Sequence, residues 1–180
     1  VAQDPDVFLV GAIDGVDAGR AVLEAAMGPR LVLTTLPILG ASEALARLIA
    51  LDVDPYLVAE RLRGVVSQRL VRKVCGDCRQ PVVPDSLLLE RLGAPADGGY
   101  HEGEGCGACH GTGQRGFAAL FEVLLPSVAL RRALEKNADA EHLRTIARAD
   151  GVASLREHAL ELARAGTITL AEVLATTPRS

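Results

Sequence analysis

Aromatic side chains are scarce in this sequence of 180 residues. It has no tryptophan, two tyrosines and three phenylalanines, although 49% of its residues are hydrophobic. A buried core must therefore be built mainly from Leu, Val, Ile and Ala. Because disordered chains carry far fewer apolar residues, the composition predicts a folded protein of one domain or two small ones.

The sequence also lacks an excess of positive charge. Its 19 Lys and Arg residues stand against 23 Asp and Glu residues, and the formal net charge is -4. Such a chain offers no overall positive field to a phosphate backbone. Nucleic acid is therefore not expected as a partner.

Long uncharged stretches are missing as well. The longest, Leu31–Ser42, has twelve residues, whereas a membrane-spanning helix needs roughly 20. The first residues, Val1–Asp6, contain acids and a proline where a secretory signal has a basic start and an apolar run. We therefore expect a cytoplasmic protein with no transmembrane segment and with reduced thiols. The first residue is not methionine, which suggests an alternative start or a piece of a longer chain.

The first third of the chain alternates between strand and helix patterns. Val7–Ile13 and Leu31–Leu36 are apolar runs typical of fully buried strands, and Asp17–Met27 between them has helical character. Strand, helix and strand within about 30 residues predict a right-handed crossover between parallel strands. The expected fold class is α/β with a parallel sheet.

Two further helices are expected after the second strand. Apolar residues recur at helical spacing in Ala41–Leu51, and Pro55 stands where a first-turn proline opens a helix. The spacing of Val and Leu predicts that this helix continues to about Lys73, with a face of Arg and Lys exposed to solvent.

The end of the chain is expected to be mainly helical. An apolar segment, Phe117–Leu125, comes first. Ser154 and Thr169 each have a glutamate three residues later, which is the spacing of a capping box, and Gly151 and Gly166 are stop signals. The predicted helices are Ser127–Lys136, Ala140–Ala149, Leu155–Ala165 and Leu170–Ala175.

All four cysteines fall into two Cys-x-x-Cys pairs. Cys75 and Cys78 form the first pair, Cys106 and Cys109 form the second, and 27 residues separate them. A gap of two residues lets both thiolates point at one centre, and two such knuckles complete the tetrahedral shell that Zn²⁺ favours. Four thiolates leave no position for a catalytic water, so the expected zinc is structural.

Other uses of these cysteines remain open. Disulfides need an oxidising compartment, a redox-active pair would use two of the four thiols, and an iron–sulfur cluster also accepts four thiolates. The segment Cys106–His110 matches the attachment pattern of c-type haem. The histidines show no ligand spacing and are expected at the surface, with a minor option that His110 orients a ligand: His101, His110, His142 and His158.

Several segments together resemble the C-terminal half of the ATPases that drive type II secretion and type IV pilus assembly. The resemblance covers nearly the whole chain and keeps the order of the family. The segments that carry it are Asp4–Gly11, Leu31–Leu36, Gln68–Arg72 leading into Cys75–Cys78, Gly105–Cys109, Thr112–Gly116, Phe121–Leu124, Ser154–Ala159 and Gly166–Val173.

This resemblance implies an architecture and a set of partners. Residues 1–74 would be the C-terminal part of a RecA-like P-loop NTPase core, residues 75–116 a tetracysteine zinc module, and residues 117–180 a strand with a C-terminal helical subdomain. Members of the family work as cytoplasmic hexamers at the inner membrane. The implied partners are therefore platform proteins of the secretion or pilus machine and homologous ATPase subunits.

The sequence departs from the family where the chemistry of hydrolysis lies. The family pattern Gly-Glu-Ile-Arg-Asp is replaced by Gly11–Gly15, with Ala12 at the position of the glutamate that polarises the attacking water. Pro37 stands where the family has a histidine, and no Gly-x-x-x-x-Gly-Lys-Ser/Thr loop occurs. We therefore expect no catalytic residues in this chain, and ATP with Mg²⁺ only if the missing N-terminal part is supplied.

Three functions remain as hypotheses. The leading one is a truncated or degenerate, non-hydrolysing homologue that acts as a structural or interaction subunit. The alternative is the C-terminal fragment of an active motor whose phosphate loop lies upstream of Val1. A weaker resemblance links Cys106–Gly113 to cysteine-repeat co-chaperones, which need several repeats. Asp14 and Asp17 could form a replacement metal or base pair, although a strand end and a helix start explain them better.

Overall fold

The structure, a computed structural model, describes residues 5–177. These residues divide into two compact units. The first contains the residues up to Val66 together with Val123–Val152, and the second contains Ser67–Glu122 together with the residues from Ala153 onward.

The elements are β1 (Val7–Ala12), α1 (Val16–Ala25), β2 (Leu31–Thr35), α2 (Ala41–Ala50), α3 (Pro55–Arg61), β3 (Val65–Val74), β4 (Arg79–Pro81), α4 (Ser86–Leu92), β5 (His101–Gly103), β6 (Gln114–Leu124), α5 (Val128–Glu135), α6 (Ala140–Ala149), α7 (Leu155–Arg164) and α8 (Leu170–Thr176).

The first unit contains the predicted strand–helix–strand crossover. β1 and β2 pair in parallel with Val7 opposite Leu31 and Leu9 opposite Leu33. The N–H of Leu31 donates to the carbonyl of Asp6, and the N–H of Ile13 donates to the carbonyl of Thr35. The predicted parallel α/β arrangement is confirmed. The division of the chain at residues 74 and 116 stays a prediction.

The prediction that β1 and β2 are fully buried is wrong. Val7, Leu9, Leu31 and Leu33 share one face of the sheet and are between 43% and 79% exposed. The opposite face is covered, since Val10 and Val32 pack against the core of the unit. In the described part of the chain this sheet has two strands. A sheet of two strands has no second layer for its outer face, and the apolar run alone does not reveal this.

Helices α2, α3, α5 and α6 build the core of the first unit. The buried side chains of this core include Leu45, Val58, Leu130, Leu134 and Leu143. Two arginines tie the helices together. Arg131 donates to the carbonyls of Ala59 and Leu62 at the end of α3, and Arg144 pairs with Glu43 of α2. Aliphatic packing supplies this core, as the aromatic-poor composition predicts.

The predicted helix from Pro55 to Lys73 is wrong beyond its second turn. Asp54 caps α3 by accepting from the N–H of Tyr56, and Pro55 opens the helix as expected. The helix ends at Arg61, however, and β3 begins at Val65. Adjacent β-branched residues and the preceding Gly64 favour a strand, and pairing with β6 supplies the partner. Arg69, Arg72 and Lys73 therefore lie on a strand, whereas Arg61 ends α3 and Arg63 lies in the connection before β3.

In the second unit, β3 and β6 form a two-stranded ribbon that is bonded to the C-terminal helices. Glu172 of α8 accepts from the N–H of Arg72 at 2.8 Å. The N–H of Phe121 donates to Nδ1 of His158 at 3.1 Å, and Glu122 accepts from the N–H of Leu155 at 3.4 Å. Side chains of the helices and of β6 thus accept hydrogen bonds from backbone N–H groups that the ribbon and α7 leave unpaired.

The four predicted C-terminal helices are confirmed within a residue or two at each end. Ser154 and Glu157 form the predicted capping box, and Gly151 and Gly166 follow α6 and α7 with left-handed backbones. At Thr169 half of the expected box forms. Its hydroxyl accepts from the N–H of Glu172, whose carboxylate binds β3.

Among the described residues, no helix is long and apolar enough to cross a membrane.

We expect Leu45→Ala to lower the free energy of unfolding by about 2–5 kcal/mol, because Leu45 is completely buried in the aliphatic core. Leu125→Ala removes the same atoms from a side chain that is 68% exposed. This substitution should change the free energy of unfolding by less than about 0.5 kcal/mol. Urea denaturation followed by circular dichroism measures both. Equal effects of the two substitutions would contradict the assigned core.

Candidate metal centre

The structure brings together all four cysteines that the sequence singles out. Cys75 follows β3, Cys78 precedes β4, Cys106 caps a short 3₁₀ turn at residues 107–109, and Cys109 ends that turn. Their Sγ atoms all lie within 4.8 Å of one another. Cys75 and Cys109 are buried, and Cys78 and Cys106 are half-buried. The four residues belong to the second unit.

Three separations of the sulfur atoms match those of a mononuclear tetrahedral site. Sγ of Cys75 lies 3.9 Å from that of Cys106, Cys78 lies 3.9 Å from Cys109, and Cys106 lies 3.7 Å from Cys109. Four Zn–S bonds of about 2.3 Å directed at the corners of a tetrahedron place the sulfurs about 3.8 Å apart. All four cysteines are free thiols. A four-iron cluster would hold its thiolates farther apart, because they bind separate iron atoms.

Backbone amides point at the sulfur of Cys109. The N–H of Cys106 donates to it at 3.1 Å, and the N–H of Gly113 donates to it at 3.2 Å. These bonds favour the thiolate, so they lower the pKa of Cys109 to about 6. Burial and the three neighbouring thiols raise the pKa of Cys78 to about 12. A divalent ion bound between these sulfurs would favour their thiolate forms.

Glycines allow the backbone to turn around this cluster. Gly105, Gly111 and Gly113 have φ between +69° and +95°, a region that side chains disfavour. Gly103 and Gly113 lie so close that a Cβ on either would overlap the backbone of the other. The N–H of Cys75 also donates to the carbonyl of Gly113 at 2.9 Å. The second knuckle is thereby held against the end of β3.

Two contacts, one polar and one steric, attach the segment of residues 75–109 to the rest of the second unit. Asp77 in the first knuckle pairs with Arg115 of β6 at 3.2 Å. At Gly166, after α7, there is no room for a Cβ beside Arg79 and His101. His101 and His158 are half-buried and hydrogen-bonded to backbone groups, while His110 and His142 are exposed as expected. No sequence pattern indicated either contact. His101 bonds to the carbonyl of Gly99, two residues before it, and His158 bonds to Phe121, 37 residues away.

The residues around the position of the family's glutamate lie at the end of β1 and the start of α1. Ala12 ends β1 and is exposed, and Asp14 and Asp17 are exposed on either side of Gly15, which is the N-cap of α1. Asp4, at the start of the matching segment, lies outside the described residues. Among residues 5–177, the group of side chains placed to hold a metal consists of the four cysteines.

The sequence was compared with family models and with curated proteins. The model described as Type II/IV secretion system protein matches residues 1–175. The chain belongs to this family. It is 40% identical over 179 residues to the type IV pilus assembly ATPase PilB of Thermus thermophilus, and 33% identical over 175 residues to the type II secretion system protein HxcR of Pseudomonas aeruginosa. It is also 35% identical over 175 residues to type II secretion system protein E of Pectobacterium carotovorum.

These matches cover 97% of this chain but only 20%, 34% and 35% of the three relatives. The chain therefore spans about a third or less of their length. Two solved structures share its fold. The pilus retraction motor PilT with bound ADP matches 98% of this chain and 41% of its own with a TM-score of 0.68 and 20% identity. The ATPase DotB of Legionella pneumophila matches 97% and 39% with a TM-score of 0.65 and 18% identity. The α/β fold is thus that of P-loop ATPases.

We expect Gly103→Ala to loosen the cysteine cluster, because the new methyl group overlaps the Gly113 backbone. Relief of such an overlap costs about 1–3 kcal/mol, which corresponds to about a 5- to 150-fold rise in the population of opened segment. The rate at which an aromatic disulfide reagent modifies the thiols of the purified protein measures this population. Gly107→Ala is the matched control, since a Cβ there meets nothing within 4 Å. Equal rates in both variants would show that the close approach is unimportant.

Proposed function

We propose that this chain is a zinc-stapled, non-hydrolysing homologue of the secretion and pilus ATPases, with a structural or interaction role. The observation that supports it most directly is the tetrahedral arrangement of four thiols in a chain that has Ala12 at the catalytic position. The first indicates a permanent structural ion. The second removes the group that would activate water.

The proposed ion is Zn²⁺, bound by Cys75, Cys78, Cys106 and Cys109. Two thiols are buried, two backbone amides already face one of the sulfurs, and the spacing suits one tetrahedral ion. When bound, zinc would bridge the two knuckles and supply roughly 10–16 kcal/mol of binding free energy to folding. A closed four-sulfur shell offers no site for substrate, so the role is structural.

The absence of hydrolysis rests on two features of the sequence. It contains no Gly-x-x-x-x-Gly-Lys-Ser/Thr loop that could hold the β- and γ-phosphates. The second feature is Ala12, which stands at the position of the family's glutamate. Loss of a positioned base alone costs about 10²–10⁴-fold in rate. The proposed location is the cytoplasm at the inner membrane, and the proposed partners are platform proteins of a secretion or pilus machine and homologous ATPase subunits.

A second candidate function is supported by the exposed sheet of the first unit. Beside β2 lies a cavity of about 770 Å³, bordered by apolar residues of α1, β2, α3 and the start of β3. Parallel sheets are normally covered on both faces, yet four apolar side chains of β1 and β2 are exposed here. Further strands of a longer, active motor would occupy this space. Translation of the DNA upstream of Val1 distinguishes the two candidates, because only the active motor requires a phosphate loop there.

We expect one zinc ion per chain in protein purified without added metal, measured by elemental analysis. Cys109→Ser should reduce the zinc content to a small fraction, because an intact tetrahedral shell needs all four thiolates. Removal of zinc with a chelator should make all four thiols reactive. Zinc-free protein with unreactive thiols, or bridged cystines, would overturn the zinc proposal.

We expect no saturable ATP binding by calorimetry, and phosphate release at background level, even in Ala12→Glu. The restored carboxylate has no phosphate anchor to act with, so it should behave as Ala12→Gln, which has the same size without the charge. Hydrolysis in Ala12→Glu above that of Ala12→Gln would show that the chain holds ATP and would contradict the leading proposal.

A further inference from the structure

The backbone of Gly113 contacts both knuckles of the candidate metal centre. Its N–H donates to Sγ of Cys109 at 3.2 Å, and its carbonyl accepts from the N–H of Cys75 at 2.9 Å. Cys109 belongs to the second knuckle and Cys75 to the first. The orientation of the two peptide groups that flank Gly113 therefore affects how the two knuckles meet.

The hydroxyl of Thr112 closes the turn that contains these peptide groups. It lies 2.7 Å from the carbonyl oxygen of Cys109 and 3.3 Å from the backbone nitrogen of Gln114. A hydroxyl donates one hydrogen and also accepts, so it donates to Cys109 and accepts from the N–H of Gln114. The carbonyl of Gln114, at 3.0 Å, is a second and longer acceptor. The N–H of Gln114 and the carbonyl of Gly113 belong to one peptide group, so the hydroxyl restrains the group that binds Cys75.

Steric contact alone does not fix the orientation of these groups. A Cβ on Gly113 would overlap the backbone of Gly103, and φ of Gly113 is +69°. Close contact limits where the chain can pass, whereas hydrogen bonds are directional and select which way a peptide group points. Thr112 is exposed and Gly113 is buried. Substitution of an exposed threonine normally changes stability little, so an effect on metal binding would come from its hydrogen bonds.

We propose that Thr112 is a positioning residue for the metal bound by the four cysteines. Its hydroxyl keeps the N–H of Gly113 on the sulfur of Cys109 and keeps the carbonyl of Gly113 on the first knuckle. Thr112 supplies no ligand atom and acts through the backbone that it restrains. An N–H bond to a thiolate stabilises the charge on sulfur, and such bonds tune the affinity and the electronic properties of a bound metal. The inference rests on the proposed zinc site and adds a residue outside its ligands.

The first test is the zinc affinity of the full chain, measured by competition with a chromophoric chelator. Thr112→Val keeps the shape of the side chain but removes the hydroxyl, and it should weaken zinc binding about tenfold or more. Thr112→Ser restores the hydroxyl and should bind zinc as the unaltered chain does. Thr145→Val is the matched control. Thr145 is also exposed and its hydroxyl donates to the carbonyl of Glu141 at 2.9 Å, but it lies on α6 in the first unit.

A second test replaces zinc with Co²⁺ and separates positioning from a general effect on stability. Cobalt bound to thiolates absorbs light through charge transfer from sulfur, and the energy of this band rises when N–H groups stabilise the charge on sulfur. At saturating Co²⁺, Thr112→Val should therefore absorb at longer wavelength than the unaltered chain. Thr112→Ser and Thr145→Val should keep the unaltered band. Weaker zinc binding with an unchanged band in Thr112→Val would mean that the hydroxyl only stabilises the fold, and it would overturn the proposal.

The remaining outcomes separate this inference from the proposed function. An unaltered chain with one zinc, together with a Thr112→Val variant of equal zinc affinity, would overturn the role of Thr112 and leave the zinc site intact. An unaltered chain that binds no zinc would overturn both. Circular dichroism verifies that each variant is folded. If Thr112→Val does not fold, Thr112→Ser decides, because a serine variant that lacks the unaltered charge-transfer band would overturn the proposal.

Discussion

The cluster of four sulfurs is the constraint on which the second unit depends. Between Cys75 and Gly116 the buried side chains are those of Cys75, Leu92, Tyr100 and Cys109, which is too small a core to hold some forty residues by the hydrophobic effect alone. A tetrahedral metal ion would hold the segment together at one point and would not require a hydrophobic core. This explains why glycines with left-handed backbones and a close backbone approach are tolerated around the cluster, since the proposed zinc bonds would outweigh their conformational cost.

The C-terminal helices of the second unit bind the edges of the β3–β6 ribbon. A two-stranded ribbon exposes backbone donors at its edges, which is a hazard for aggregation. Glu172 and His158, from two C-terminal helices, each bind one such donor. Gly166 follows helix α7, and a side chain there would overlap Arg79 of β4 and His101 of β5. The C-terminal helices thus support both the ribbon and the cysteine-containing segment.

Several features could be predicted because they depend on neighbours in sequence. The parallel crossover, the first-turn Pro55, the capping box at Ser154 and the glycine stops follow from local rules about periodicity, hydrogen bonding and backbone freedom. The failure at β3 has a physical cause too. Val58, Leu62, Val65 and Leu70 fit helical spacing, but a stripe of apolar residues does not record whether β6 is present to pair with. Burial of β1 and β2 was misjudged because it depends on a layer that the described residues do not contain.

The sequence by itself determined the candidate metal ligands and the presence of Ala12, because each is a matter of residue identity and short spacing. The tertiary structure decided whether the two knuckles, 27 residues apart, meet at tetrahedral distances. It also decided which amides face Cys109 and that His158 binds a strand. These properties arise from contacts between residues far apart in the chain, which no local pattern specifies.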